Sequence, residues 1–137
     1  MKIIIYTDGG SRNNPGIAGA GVYITDGEGN ELMTAKKYLG IKTNNWAEYQ
    51  GLIIGLEKAK ELLGAKTKTT EVEIRMDSQL IVRQINGEYR VKEPSLKEQF
   101  IKVNNLKTDF PKIKFVHIPR KENKEADKLA NEAMDSK

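Results

Sequence analysis

The sequence predicts an α/β fold with a five-stranded mixed sheet flanked by helices. Strand-like alternation dominates the first forty residues, and the spacing of apolar residues becomes helical from Asn44. Two later strand-like segments each follow a helical one. Strands joined by short loops form an antiparallel meander, whereas strands reached through helices return parallel to their neighbours. We therefore expect a meander of three strands extended by two parallel strands.

The strands of the meander are predicted from β-branched, aromatic and alternating apolar residues. They cover Lys2–Thr7, Gly19–Thr25 and Glu31–Leu39. Gly9 and Gly10 are expected to end the first strand, because glycine permits backbone angles that other residues avoid. The glycine-containing segment Asp26–Asn30 is typical of a hairpin connection between the second and third strands.

The rest of the chain alternates helices and strands. Apolar residues recur at steps of three and four from Tyr49 to Leu63, which predicts a helix from Asn44 that Gly64 ends. Ser95 and Glu98 have the spacing of a capping box. The remaining predicted elements are a strand at Glu71–Met76, a short helix at Ser78–Asn86, a helix at Ser95–Phe110, a strand at Ile113–Ile118 and a helix at Glu122–Met134.

Length and composition exclude several classes of protein. The 137 residues suit one domain, and 38% apolar with 31% charged residues is ordinary for a soluble one. No apolar run is long enough to cross a bilayer, and the absence of cysteine excludes disulfides and thiolate metal sites. We expect a single domain over residues 1–137, a monomer, no membrane partner and a cytoplasmic location. The net charge of +4 is only weakly indicative of a polyanionic partner.

Two acidic residues follow strands that are predicted to run parallel. Asp8 comes directly after the first strand, and Asp77 comes directly after Glu71–Met76. If these strands are neighbours, both carboxylates emerge at the same sheet edge, on the order of 5 Å apart. Taken alone, Asp8 could equally begin an exposed loop, and Asp77 could cap the following helix.

Two further acids lie on predicted helices beside apolar faces. Glu48 is one turn into the first long helix, near its buried face, where an unpaired carboxylate is costly; alternatively, it interacts with the helix amino terminus. Asp127 lies at the rim of the last helix's apolar stripe, where a solvated position is equally compatible. Four converging carboxylates without histidine or cysteine suit Mg²⁺ first and Mn²⁺ second. Two such ions about 4 Å apart are the usual arrangement for displacement at a phosphodiester.

Four segments of the chain, in order and in spacing, resemble the signature segments of type 1 ribonuclease H. They read YTDGGSRNNPG, TNNWAEYQGL, MDSQLIV and IPRKENKEADKLA. The resemblance covers essentially the whole chain and implies the ribonuclease H-like fold. It also implies an endonuclease that hydrolyses the RNA strand of RNA–DNA hybrids to 3′-hydroxyl and 5′-phosphate products.

The resemblance further implies roles for individual residues. The metal-binding catalytic carboxylates would be Asp8, Glu48, Asp77 and Asp127, with one of two Mg²⁺ ions activating water and the other stabilising the leaving 3′ oxygen. The substrate contacts would be Gly10, Asn14, Asn44, Asn45 and Gln79. Amide side chains can read 2′-hydroxyls and minor-groove base edges, which distinguishes RNA from DNA. Asn44 and Asn45 could instead cap the helix that they begin.

Two features depart from the pattern of many bacterial members. Those members carry a catalytic histidine in a flexible loop before the last helix, and His117 has its spacing. The short Ile-Pro-Arg loop, however, resembles an archaeal-like branch that uses an arginine, so we expect Arg120 in that role. The lysine-rich inserted helix called the basic protrusion is also missing. Arg90 and Lys92 are the candidates for contacts with DNA phosphates, unless they belong to a merely solvated face.

Two other functions remain open on the sequence. A non-catalytic nucleic-acid-binding module of the same fold is one, although a binder has no need of acids that repel phosphate. Another nuclease of the ribonuclease H-like superfamily, such as a transposase or resolvase core, is the second. Those usually carry extra domains or other acid spacings.

Overall fold

Five strands form one mixed sheet in the computed structural model, which describes residues 1–137. The strands are β1 (Lys2–Ser11), β2 (Gly16–Asp26), β3 (Glu31–Lys42), β4 (Glu71–Met76) and β5 (Ile113–His117). Their order across the sheet is β3-β2-β1-β4-β5. The first three pair antiparallel, and β1–β4 and β4–β5 pair parallel. The predicted mixed sheet is confirmed.

Four helices connect or follow these strands. They are α1 (Asn44–Leu63), α2 (Gln79–Ile85), α3 (Pro94–Lys107) and α4 (Lys124–Asp135), with 3₁₀ turns at Gly64–Lys68 and Arg120–Glu122. The predicted end of α1 is confirmed, because Gly64 has a φ of 55° that a residue with a side chain rarely adopts. No helix combines the length and the apolar character needed to cross a bilayer.

The helices α1 and α4 cover opposite faces of the sheet. Successive residues of a strand point to opposite faces. On β2, Val22 belongs to the buried cluster that includes Leu52 and Leu56 of α1, whereas the neighbouring Gly21 faces Ala126 of α4. Acidic residues carried by the two helices can therefore approach the sheet from both sides.

The predicted end of the first strand is wrong. Instead of stopping before Gly9 and Gly10, β1 continues to Ser11 and stays paired with β2. Gly9 is needed for packing rather than for a turn, since a Cβ there would lie 2.1 Å from the carbonyl oxygen of Ala47 in α1. Gly9 therefore lets α1 lie against the strand, which remains extended.

The predicted capping box of the third helix is also wrong. The helix α3 begins at Pro94, with Glu93 as the N-cap residue and no side-chain cap hydrogen bond. Proline suits the first helical position because its φ is already helical and its missing N–H would be unpaired there anyway. Ser95 consequently lies inside the first turn, where it cannot act as the cap.

Candidate active site

Four acidic side chains surround one cleft of about 490 Å³. Asp8 comes from β1, Glu48 from α1, Asp77 from the residue after β4, and Asp127 from α4. Carboxylate oxygens of the first three all lie within 4.8 Å of one another. Asp127 lines the same cleft outside this close group. The structure thus brings three acids together and places the fourth at their edge.

Asp8 lies where the sheet divides. The parallel ladder between β1 and β4 ends at the pair Tyr6–Arg75, whereas β1 remains paired with β2 as far as Ser11. The residues after Tyr6 therefore have a strand partner on one side only. This opens a space beside β1, and Asp8 and Asp77 meet there.

Glycines bring both acid-bearing helices close to the sheet. A Cβ on Gly51 of α1 would lie 2.8 Å from the carbonyl oxygen of Asp8. On the other face, a Cβ on Gly21 would lie 2.3 Å from the carbonyl oxygen of Ala126, next to Asp127. Close backbone approach of this kind requires residues without side chains. Because both helices lie this close to the sheet, the side chains of Glu48 and Asp127 extend into the cleft.

Glu48 is buried and only half satisfied. Its Oε1 accepts a hydrogen bond from the backbone N–H of Gly9 at 2.9 Å, and its Oε2 is buried with no partner. Burial, and next the negative charge of Asp8, hold its pKa well above the usual 4.5. Thr43 is the N-cap of α1, so the alternative that Glu48 serves the helix amino terminus does not account for its burial.

Asp8 is likewise held in an environment that opposes its charge. Its residue is 9% exposed, and burial is the main reason that its pKa rises from 3.8 to about 7. The negative charges of Asp77 and Asp127 raise the pKa further. No ion pair supplies a cation to Asp8, Glu48 or Asp77. These three acids therefore have no ion-pair partner in the protein, and the only cation paired with a fourth acid of the cleft is Arg120, beside Asp127.

Asp77 does not cap the helix that follows it. The N-cap of α2 is Ser78, whose Oγ accepts from the N–H of Ile81 at 3.4 Å. One oxygen of Asp77, Oδ2, instead accepts from the side-chain amide of Asn123 at 3.0 Å. The carboxylate is thereby directed toward the cleft rather than along the helix.

Arg120 and His117 occupy different places. Arg120 lines the cleft, and its guanidinium lies 3.9 Å from Oδ1 of Asp127 with 84% of the side chain exposed. His117 is the exposed last residue of β5 and is not among the residues that line the cleft. Of the two residues considered for the loop role, only the arginine is placed beside an acid of the cluster.

The polar residues predicted to contact substrate divide into two groups. Gly10, Asn44 and Asn45 line the cleft, whereas Asn14 and Gln79 lie outside its lining. Asn44 joins the first loop to α1, because its Oδ1 accepts from the N–H of Ser11 at 2.7 Å and its N–H donates to Oδ1 of Asn14 at 3.0 Å. Thr43, not an asparagine, caps the helix through the N–H of Trp46.

A second groove, of about 800 Å³, lies beside the acidic cleft. Asn45 lines both, and Arg90 and Lys92 line the groove with Tyr89. Tyr89 is 47% exposed, and its hydroxyl accepts from Arg83 at 3.1 Å. Residues 86–93, which join α2 to α3, contain no helix. The groove continues from the acidic cleft, and its lining carries two acids, Glu88 and Glu93, beside the two cations.

Two residues at the cleft were not predicted. Arg12 lines it and forms an ion pair with Asp135 of α4 at 2.7 Å, and nothing in the loop sequence distinguishes it from a solvated arginine. Asn123 contacts Asp77, as described above. Its signal in the sequence was an N-cap type of residue just before the last helix, four positions ahead of Asp127.

Comparison with known proteins gives one family and several close relatives. Residues 6–133 match the family described as "Reverse transcriptase-like". The solved LC11-RNase H1 in complex with an RNA/DNA hybrid is 55% identical, with a TM-score of 0.93, over 98% of this chain and 97% of that one. RNase H1 from the halophilic archaeon Halobacterium salinarum is 36% identical, with a TM-score of 0.90, over 100% of both chains.

A longer relative places the chain in a wider context. The "Bifunctional protein Rv2228c" of Mycobacterium tuberculosis is 44% identical over 99% of this chain and 36% of its own length. The chain thus spans about a third of the length of that curated relative. The similarity concerns this one portion of the mycobacterial protein.

Proposed function

The chain belongs to the type 1 ribonuclease H family, and from that membership we propose that it is an endonuclease acting on RNA–DNA hybrids. It hydrolyses the RNA strand and leaves 3′-hydroxyl and 5′-phosphate ends. The observation that carries this proposal is the buried carboxylate group of Asp8, Glu48 and Asp77, whose oxygens lie within 4.8 Å. A 55% identical relative was solved with an RNA/DNA hybrid, which supports the substrate class.

The cluster fits a divalent metal. Its donors are all carboxylate oxygens, Oε2 of Glu48 is buried without a partner, and Asp8, Glu48 and Asp77 form no ion pair with a cation of the protein. Hard cations with oxygen ligands, Mg²⁺ above all, match such a donor set. We propose that Asp8, Glu48, Asp77 and Asp127 hold two Mg²⁺ ions, for which Mn²⁺ can substitute. When bound, the metal supplies positive charge to the attacking and leaving oxygens at phosphorus.

The protein's own residues align the RNA strand over this cluster. Gly10 offers an open backbone, since a Cβ there would meet nothing nearer than 3.9 Å. Asn44 and Asn45 lie on the cleft wall, where amide groups can bind 2′-hydroxyls and minor-groove edges. Asn14 acts by holding Asn44, and the exposed Gln79 contacts the hybrid after it binds. The selection of RNA over DNA depends on these contacts.

Arg120 serves the reaction from the rim. Its exposed guanidinium beside Asp127 can reach a phosphate at the cleft while staying near the cluster. A guanidinium binds phosphate through fixed, paired donors. His117, which is exposed at the end of β5, has no part in this proposal.

The DNA strand lies in the neighbouring groove. Its walls carry Arg90 and Lys92, and it continues from Asn45 at the cleft. Binding there is electrostatic and independent of sequence, because the contacts are to phosphates. We also propose that residues 1–137 act as one catalytic domain, which the single sheet and the one buried core support. We further propose that the protein is monomeric and cytoplasmic.

The deciding experiment uses a hybrid with each strand labelled separately. Wild-type protein should cut only the RNA strand with Mg²⁺ or Mn²⁺, and EDTA should abolish the cutting. Asp8→Asn should cut less than about one thousandth as fast, because it removes a ligand of the cluster. The matched control Asp26→Asn makes the same change in the β2–β3 hairpin and should cut as wild type does.

The alternatives predict different products. Hybrid binding without cutting by the wild-type protein would support a binding module. Equal cutting of both strands would support another nuclease of the superfamily. Either result would overturn the proposed activity.

A further inference from the structure

Asn123 links three parts of the acidic cluster from a buried position between the last strand and the last helix. It is 1% exposed. Its side-chain nitrogen donates to the carbonyl oxygen of Thr7 at 2.9 Å and to Oδ2 of Asp77 at 3.0 Å. The main-chain carbonyl of Asn123 accepts a hydrogen bond from the N–H of Asp127 at 3.1 Å. The residue therefore bonds to Asp77, to Asp127 and to the residue that precedes Asp8.

The position of Asn123 follows from the division of the sheet. Thr7 is the first residue of β1 beyond the parallel ladder, which ends at the pair Tyr6–Arg75. A buried carbonyl without a ladder partner needs a donor from elsewhere. Asn123 supplies it from the segment that leads into α4, and its second N–H is left to hold Asp77.

The orientation of the amide is determined by its neighbours. Both side-chain bonds are made to acceptors, a carbonyl and a carboxylate, so the nitrogen must face them. The amide oxygen, in contrast, is buried with no partner. A buried polar atom without a partner is destabilising. The side chain of Asn123 therefore combines one unfavourable feature, its unpaired oxygen, with two hydrogen bonds from its nitrogen. One of these bonds goes to the carboxylate of Asp77.

We infer that Asn123 is a positioning residue that holds Asp77 in place for metal binding, an inference that rests on the proposed function. Its N–H restricts one carboxylate oxygen and leaves the other directed toward Asp8 and Glu48. Groups that orient metal ligands commonly change metal affinity about 10-fold to 100-fold when removed. Asn123 itself contacts neither metal nor substrate.

The test separates positioning from a general contribution to stability. The full chain is titrated with Mn²⁺ by calorimetry without substrate, and thermal unfolding is followed with and without the metal. Two variants remove the contact: Asn123→Ala, and Asn123→Ser, which keeps a good N-cap residue should the alanine variant fail to fold. The matched control is Gln99→Ala. Gln99 is also a buried amide with an unpaired polar atom, but its one side-chain hydrogen bond comes from Gln50 and not from a residue of the acidic cluster.

All three variants are expected to unfold at lower temperature in the absence of metal. Only the Asn123 variants should bind Mn²⁺ more weakly, by about tenfold or more, and lose most of the metal-induced rise in Tm. Their RNA cleavage should recover largely at high Mg²⁺ concentration. Wild-type affinity in both Asn123 variants, or an equal loss in Gln99→Ala, would overturn the inference. A wild-type protein that binds Mn²⁺ but cuts no hybrid would contradict the proposed function instead, and the calorimetric comparison would still decide the role of Asn123.

Discussion

Replacing Asp8 by asparagine should stabilise the metal-free protein while it abolishes cleavage. Asp8 is 9% exposed in the fold, and its carboxylate lies near those of Glu48 and Asp77 with no ion-pair partner. Asparagine has almost the same shape but cannot ionise. The variant therefore removes the unfavourable charge without opening a cavity.

The size of the effect follows from the pKa of Asp8. Burial is the main cause that raises it from 3.8 to about 7. At pH 7 the carboxyl group of Asp8 is ionised in the unfolded chain, whereas it is still protonated in about half of the folded molecules. Integrating that difference over pH gives a destabilisation on the order of 4 kcal/mol in the wild type. Because a buried amide also needs hydrogen-bond partners, we expect asparagine to recover about 1 to 4 kcal/mol.

The measurement is thermal unfolding of the metal-free protein between pH 5 and 8. At about 3 °C per kcal/mol for a domain of this size, Tm of Asp8→Asn should exceed that of the wild type by roughly 3 to 12 °C at pH 7. Since the native pKa lies above the unfolded value, the wild type should lose stability as the pH rises from about 4 to 7, and the variant should lose less. Glu73 acts in the opposite sense below pH 4.5, because ion pairs outweigh its burial and lower its pKa to about 2. The comparison therefore stays above that range.

Two results would refute this reasoning. One is a Tm of metal-free Asp8→Asn at or below the wild-type value at pH 7. The other is an equal rise in the control Asp26→Asn, whose carboxylate is exposed and has its pKa lowered by hydrogen bonds from Asn30. Added Mg²⁺ should raise the Tm of the wild type and have little effect on Asp8→Asn.

Three further predictions test the packing, the loop and the groove. Gly9→Ala should lower the free energy of unfolding by roughly 1 to 3 kcal/mol or more in a denaturant titration, since its Cβ would lie 2.1 Å from a backbone oxygen of α1. Gly10→Ala, which meets only an atom at 3.9 Å, should leave stability almost unchanged, and equal losses would contradict the packing argument. Arg120→Ala should lower kcat by about 10-fold to 100-fold with little change in Tm, whereas His117→Ala should stay within about twofold of wild type in the same assay. The reverse ranking would transfer the loop role to the histidine. Arg90→Glu should raise KM for the hybrid and flatten its dependence on salt concentration; an unchanged salt slope would remove the groove from the binding surface.

The fold could be predicted from the sequence because each element carried a local signal. The spacing of apolar residues and Gly64 predicted the bounds of α1, and Glu71–Met76 matched β4 at both ends. The parallel pairing of β1 and β4 followed from the intervening helix, and it placed Asp8 and Asp77 at one edge. The four acidic residues could be predicted as site residues because each lies at the end of a predicted strand or beside the apolar face of a predicted helix.

The features that could not be predicted depend on contacts distant in sequence. Gly9 looked like a strand terminator, but what decides its role is the backbone of Ala47 in another element. Ser95 and Glu98 had the spacing of a capping box, but α3 begins one residue earlier, at Pro94, with Glu93 as the N-cap residue. Asn123 is 46 residues from Asp77 and 116 from Thr7, so no local pattern could reveal that it joins them.

At the acidic cluster, the fold leaves a strand without a partner on one side and leaves buried negative charges without a cation. The parallel ladder stops before Asp8, and the glycine contacts bring two acid-bearing helices to that gap. No side-chain cation pairs with Asp8, Glu48 or Asp77 there. Stability alone would favour neutral side chains at positions 8 and 48, because a neutral side chain avoids the cost of burying the charges of Asp8 and Glu48. A bound cation would remove that cost for all the acids at once. The expected gain in stability of Asp8→Asn and the expected gain of the wild type from Mg²⁺ therefore have a common origin, the uncompensated charge at the gap beside β1.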